Sequence, residues 1–210
     1  EQIISSHSTV FAGGEDTPFA PLMSQLIPQI YAQAGQSAAP LFQQFGGEYV
    51  TRMLERANAG NNSFTRFTDK HLMNFWLVGV LHMVLPNARI VHTVRNPMDT
   101  LYSCYKHRFE KDSIDFSYAQ EDLAQFYRLY RQVMNYWETV IPANKLLTIQ
   151  YEDLVNNQEA VTRQIIEHCK LDWEDSALTF YETDRQVWEC TVGHEFSDAG
   201  LHVRVRLVVF

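Results

Sequence analysis

Cysteine is scarce in this chain. Three stand in 210 residues, at positions 104, 169 and 190. So few, so widely spaced, build no disulfide framework and point to a reducing compartment, so a cytoplasmic protein is expected. Long apolar runs are missing as well. The most apolar stretch, residues 77–84, is far too short to span a bilayer and is interrupted by His82, so no membrane segment is expected in this chain. Positive charge is in short supply: 17 Lys and Arg stand against 25 Asp and Glu, a net charge of −8. That balance speaks against general nucleic-acid binding, and an anionic ligand must be held by a local site rather than by the overall field. The histidines show no HExxH or comparable ligand spacing, so no metal site is expected. There is no internal repeat and no low-complexity block. What is present, 46% hydrophobic and 20% charged residues, is the make-up of one soluble domain with a real core.

Strand-like and helix-like segments alternate along the chain. Residues 1–7 read as the tail of a helix, and Val10-Phe11 as a short extended piece running into the flexible Ala12-Gly13-Gly14. Helical periodicity covers 19–33, with a kink expected at Pro28, and again 41–57, with a linker at 36–40. Residues 64–68 are a β candidate that leads into a helix over about 71–85. Residues 88–94 form a strand, followed by a helix over 97–108. An amphipathic helix over 120–140 is ended by Pro142, and 145–151 is another strand. Helices follow at 158–169 and near 174–182. Strands alternating with helices predict an α/β fold with a parallel sheet. From residue 189 onward the text changes character and ends in the alternating run Val203-Arg204-Val205-Arg206-Leu207-Val208-Val209. This pattern suits a strand filling an unpaired sheet edge, and equally a disordered tail.

The segment ARIVHTVRNPMDTLYSCYKHR, residues 88–108, carries the first chemical signal. Its strand ends on Arg95, and Asn96-Pro97 then starts a helix as N-cap and first helical residue. In open α/β sheets ligands bind at the carboxyl ends of strands, and the N–H groups of a helix start attract anions. Ser103 lies seven residues after Asn96, two turns on and on the same face. Arg95 and Ser103 thus make a plausible phosphate clamp, the alternative being an arginine paired with a surface carboxylate. Lys70, in FTDKHLMNF, falls between a strand and a helix, where it could neutralise a leaving phosphate or be a solvated loop lysine. Glu15, in FAGGEDTPF, follows two glycines that let backbone approach a ligand closely. It could take a proton from an attacking hydroxyl, or be a simple turn acid.

Taken together these segments resemble a family. VRNPMDTLYSCY is similar to the 3′-phosphate-binding segment of sulfotransferases that use 3′-phosphoadenosine 5′-phosphosulfate (PAPS) as donor. FTDKHLMNFWLVGVLHMVLPNARIVHTVRNPMD resembles bacterial sulfotransferases often linked to tetratricopeptide repeats, themselves similar to protein-tyrosine sulfotransferases. EQIISSH…VFAGGED resembles the helix and glutamate segment that follows the 5′-phosphosulfate loop in that group, and IQYEDLVNN a later strand. Four segments in the right order, over roughly residues 1–188, make the match specific.

The resemblance implies a P-loop-NTPase-like three-layer α/β sandwich, a short parallel sheet flanked by helices. It implies transfer of a sulfuryl group from PAPS to a hydroxyl acceptor, a peptidyl tyrosine or a small molecule, with no metal. Residue by residue, Glu15 matches the base that activates the acceptor. Lys70 matches the lysine that stabilises the transferring group, Arg95 and Ser103 bind the 3′-phosphate, and Tyr151 lies near the nucleotide. A further family arginine about one turn past the serine has an uncertain match here at His107-Arg108.

Two departures stand out. Family members carry a G-x-P-R-[ST]-G-[ST] loop directly before the helix that here begins at Glu1, and these residues contain none. The chain is therefore expected to be a fragment, lacking the first strand and the loop. Residues 186–188 approach the segment that in relatives carries a threonine-alanine-serine-like triplet, and then the text diverges. The expected organisation is an N-terminally truncated sulfotransferase domain over 1–188 and a divergent tail over 189–210, with room for an N-terminal repeat domain in a longer protein. Two other functions stay open: a non-catalytic fragment or pseudo-enzyme, and a kinase-like phosphotransferase. Against the latter stands the missing G-x-x-x-x-G-K-[ST].

Overall fold

The computed structural model describes residues 1–15, 17–33, 35–59, 63–107 and 114–182, together with the backbone of 204–209. The expectations for Arg108, for 186–188 and for most of the 189–210 tail lie outside the described residues.

Five strands form one sheet: β1 (Val10–Ala12), β2 (Arg66–Lys70), β3 (Arg89–Val94), β4 (Leu146–Gln150) and β5 (Arg204–Val209), in the spatial order β1-β2-β5-β3-β4. β1 pairs with β2 and β3 with β4 in parallel, while β5 is antiparallel to both β2 and β3. It follows that β1 to β4 all point the same way, and their carboxyl ends share one edge of the sheet. β5 runs between them in reverse, with Arg206 level with Lys70 on one side and Val91 on the other. The alternating tail run thus pairs in the centre of the sheet and not along its border.

The helices are α1 (Gln2–Ser5), α2 (Phe19–Ala32), α3 (Ala39–Ala57), α4 (Val78–Val84), α5 (Pro97–Lys106), α6 (Gln120–Val140), α7 (Tyr151–Asn156) and α8 (Gln158–His168). Successive residues of β3 divide between the two faces, as strand geometry requires. Ile90 joins Leu22, Tyr49, Leu81 and Met134 in a core under α2, α3, α4 and α6. Val91 joins Ile3, Ile149, Ile165 and Ile166 in a second core under α1 and α8. The result is three layers, helices on both faces of a short sheet, as expected for the fold class.

Several boundaries differ from the sequence expectation. β2 sits two residues later, so Asp69 and Lys70 belong to the strand and not to a loop; both are buried. The helix expected over 71–85 splits into a 3-10 turn at Leu72–Leu77 and α4. Its start is fixed by His71, whose side chain accepts from the Met73 N–H. The strand expected to run to 151 ends at Gln150, and Tyr151 opens α7 instead. α2 continues through Pro28, and the short helix near 174–182 resolves into two 3-10 turns. α6 matches its expected range, because Leu123, Tyr130 and Met134 recur at helical spacing and are buried on one stripe. α3 lies close against α4 at Gly46, where a side chain would meet the Val84 carbonyl oxygen at 2.1 Å.

Candidate active site

The shared carboxyl edge gathers the candidate residues from four strands. Glu15 lies three residues past β1, Lys70 ends β2, Arg95 directly follows β3, and Tyr151 directly follows β4. Ser103 is two turns up α5, the helix that β3 feeds.

On the β1–β2 side, the Lys70 ammonium is 3.4 Å from the Glu15 carboxylate and 3.3 Å from that of Glu1. Lys70 is only 3% exposed, so this is an ion cluster largely removed from water, where charges interact far more strongly than at the surface. The structure brings Glu15 and Lys70 together across 55 positions of sequence. Glu1 was not singled out in the sequence, yet it is tightly built in. One of its oxygens accepts from the Gly14 N–H at 3.0 Å and from the Thr68 hydroxyl at 3.1 Å, while the other faces Lys70. No motif marks such a residue, because its partners come from β2 and from the loop after β1.

The glycines work as the sequence suggested, but toward protein backbone. A Cβ on Gly13 would come within 2.0 Å of the Thr68 carbonyl oxygen, so only glycine lets this loop lie against β2. Gly14 takes φ +71°, a left-handed conformation suited to glycine. The loop is laced down by the Lys70 N–H donating to the Gly14 carbonyl at 2.8 Å and by the Gly13 N–H donating to the Thr68 hydroxyl at 3.3 Å. Beneath it, on the other face of β2, the buried Asp69 carboxylate accepts from Thr17 at 2.5 Å, Tyr49 at 2.6 Å and Asn74 at 2.9 Å. Burial, with the Asp69 charge adding to it, pushes the Tyr49 phenol well above its usual range, so Tyr49 is a fixed donor.

On the β3–β4 side, the Arg95 guanidinium lies 5.4 Å from the centre of the Tyr151 ring and 3.9 Å from Asp99. Arg95 is partly exposed, and it leans on its own helix and on the residue after the neighbouring strand. Asn96 is the N-cap as expected, its side chain accepting from the N–H groups of Met98 and Asp99. Its own N–H donates to Glu152 at 2.8 Å. The start of α5 therefore has its N–H groups occupied, a correction to the idea that they stand open to an anion. Beside it stand the partly exposed Arg95 and, two turns on, the buried Ser103.

Between the 3-10 turn after β2, α5 and α6 lies an apolar cleft. It is small, and its lining includes Leu72, Phe75, Cys104, Phe116 and Tyr127. The Thr100 hydroxyl also lines it and is buried with no hydrogen-bond partner among the described residues. Burial pushes the Cys104 thiol up to about 12, so it is inert packing. Among the described residues no cluster of three or more His, Cys, Asp or Glu is placed to hold a metal. No helix among them is long and apolar enough to cross a membrane.

Comparison with known proteins bears on the family and the fold. The family model described as "Sulfotransferase family" matches residues 1–175. An uncharacterized protein of Aquifex aeolicus (strain VF5) is 29% identical over an alignment of 197 residues that covers 89% of this chain and 26% of that protein. The chain thus spans about a quarter of the length of this curated relative. Among solved structures, a sulfotransferase domain from the curacin biosynthetic pathway superposes with a TM-score of 0.59 at 16% identity, over 90% of this chain and 74% of that one. At that identity the likeness speaks for the fold.

Proposed function

This chain belongs to the sulfotransferase family, and we propose that its carboxyl edge serves transfer of a sulfuryl group from PAPS to a hydroxyl acceptor. The observation that carries this reading is the meeting of Glu15 and Lys70 at 3.4 Å, on the edge that also bears Arg95 and Tyr151. In this reading the acceptor oxygen attacks sulfur while its proton passes to Glu15. A new S–O bond forms, the bond from sulfur to the 5′-phosphate oxygen breaks, and 3′-phosphoadenosine 5′-phosphate leaves. Lys70 exchanges its carboxylate partners for the oxygens on which charge grows, where a desolvated cation acts most strongly. Arg95 and Ser103 take the 3′-phosphate and Tyr151 borders the nucleotide. β2 and β3 lie two strand spacings apart, about 10 Å, and because Lys70 is level with Val91, β3 runs on about three residues, roughly 10 Å, past the end of β2, so a nucleotide carrying phosphates at both ends would lie slantwise across this edge.

The apolar cleft beside α5 suits an acceptor with an aromatic body, a phenol or a tyrosine side chain. Its lining includes Phe116, which lies within the 106–119 stretch to which we assign acceptor choice. We assign residues 1–188 to the transferase domain. The assay compares this chain with one to which a 5′-phosphosulfate loop has been added ahead of Glu1.

The test is labelled sulfate transfer from PAPS to a panel of phenols and tyrosine peptides. Glu15→Gln is expected to lower turnover about 100- to 10,000-fold, the range for loss of a general base, with donor affinity nearly intact. Lys70→Ala is expected to lower turnover as well. Unchanged turnover in Glu15→Gln removes the proposed base.

A further inference from the structure

We propose that Thr17 and Asp69 form a latch that holds the Glu15 carboxylate against Lys70, making Thr17 a positioning residue. The proposal rests on the reading of Glu15 and Lys70 given above, and deepens it.

The argument starts from where the hydrogen bonds fall relative to the two charged groups. On one side of Glu15, Gly13 and Gly14 are tied to Thr68 and Lys70. On its other side, Thr17 donates to Asp69 at 2.5 Å. Glu15 is thus carried on a short segment tethered before and after to residues 68–70 of β2, with Gly14 held by Glu1 as well. Two anchors fix a side chain far better than one. With the Thr17 anchor gone, the segment would hang from Gly14, whose left-handed backbone is suited to a hinge.

Asp69 does not need Thr17 for its own burial. It is 1% exposed, and Tyr49 from α3 and Asn74 from the 3-10 turn supply a donor to each of its oxygens. The third donor, from a half-buried threonine ahead of α2, adds little to the core. It does connect the core to the loop that bears Glu15. A displacement of about 1 Å in a reacting group can cost a hundredfold in rate, which gives such a connection its consequence.

Thr17→Val keeps the shape and removes the hydroxyl donor, and Thr17→Ser restores the donor. In the transfer assay Thr17→Val is expected to lower kcat about 10- to 100-fold with KM for PAPS changed less than about twofold. Its Tm is expected to stay within about 3 °C of the parent, and Thr17→Ser to recover most of the rate. Amide hydrogen exchange on this chain gives a readout that needs no turnover. The Lys70 amide, bonded to the Gly14 carbonyl, is expected to exchange at least about tenfold faster in Thr17→Val, while amides in α6 are unchanged. Unaltered Lys70 exchange overturns the latch, and so does failure of serine to restore the rate. If Glu15→Gln leaves turnover intact, the catalytic reading fails, while the exchange result still decides whether the latch exists.

Discussion

Arg95 shows how one side chain is prepared for an anion. Its guanidinium lies 5.4 Å from the centre of the Tyr151 ring and 3.9 Å from the Asp99 carboxylate. A cation already held beside an aromatic ring loses less conformational freedom on binding phosphate than a free one. Arg95→Ala is therefore expected to weaken binding of adenosine 3′,5′-bisphosphate by about 1.5–3 kcal/mol, the usual worth of a charged hydrogen bond. Arg95→Lys should recover only part of that, because an ammonium neither stacks nor forks. Calorimetry decides it, and an alanine variant with parent affinity would place the 3′-phosphate elsewhere. Arg95 was legible because sequence places it between a strand and a capped helix. Its bracing was not, since Tyr151 lies 56 positions away and meets it only because β3 and β4 are neighbours.

Among the elements, β3 has the most telling electrostatics. His92 is fully buried on it, with its ring between the Thr148 hydroxyl at 3.2 Å and the Tyr130 hydroxyl. Burial, and then the charge of Arg131, push the His92 pKa down to about 3. His168, which faces the Ile90 carbonyl from α8, is also pushed down, first by burial. A histidine kept neutral in the fold is protonated more readily in the unfolded chain. Below the unfolded value near 6.5 the unfolded state binds the extra proton, so stability is full above that pH and falls as the pH drops toward 3. Each such proton contributes a slope of about 1.4 kcal/mol per pH unit. Thermal unfolding between pH 7 and pH 4 should show Tm falling with acid, and more shallowly in His92→Gln. Parallel curves for the two proteins would mean that His92 is already charged in the fold.

For the whole molecule, the decisive feature is β5 in the centre of the sheet. Its backbone pairs with both β2 and β3, so it joins the half that carries Glu15 and Lys70 to the half that carries Arg95 and Tyr151. A chain ending before Arg204 would leave two facing strands with unpaired backbone groups, and such edges recruit other chains. Loss of residues 204–210 is expected to lower stability and produce aggregates, read by size-exclusion chromatography and circular dichroism. A monomeric truncated chain with the parent Tm would show that the two halves hold together without β5. The alternation at 203–209 was visible in the sequence as a strand pattern, but pattern alone chose neither slot nor direction. A strand's neighbours are set by which backbone groups elsewhere remain unpaired.

The sequence by itself determined the α/β class, most of the helix ranges and the residues worth watching, because these rest on local signals. Such signals are the β-branched run of β3, the Asn96 cap, the apolar stripe of α6 and the glycines before Glu15. The motifs also carried the family. Tertiary structure decided that Lys70 is the buried end of a strand, that Glu1 shares its charge, and that Thr17 reaches Asp69. It decided too that Asn96 and Glu152 close the start of α5 to an anion. Each of these depends on groups distant in the chain that meet only when strands align and helices pack. Local propensity contains no term for such meetings, and the competition for hydrogen bonds and buried charge is settled only in the assembled fold.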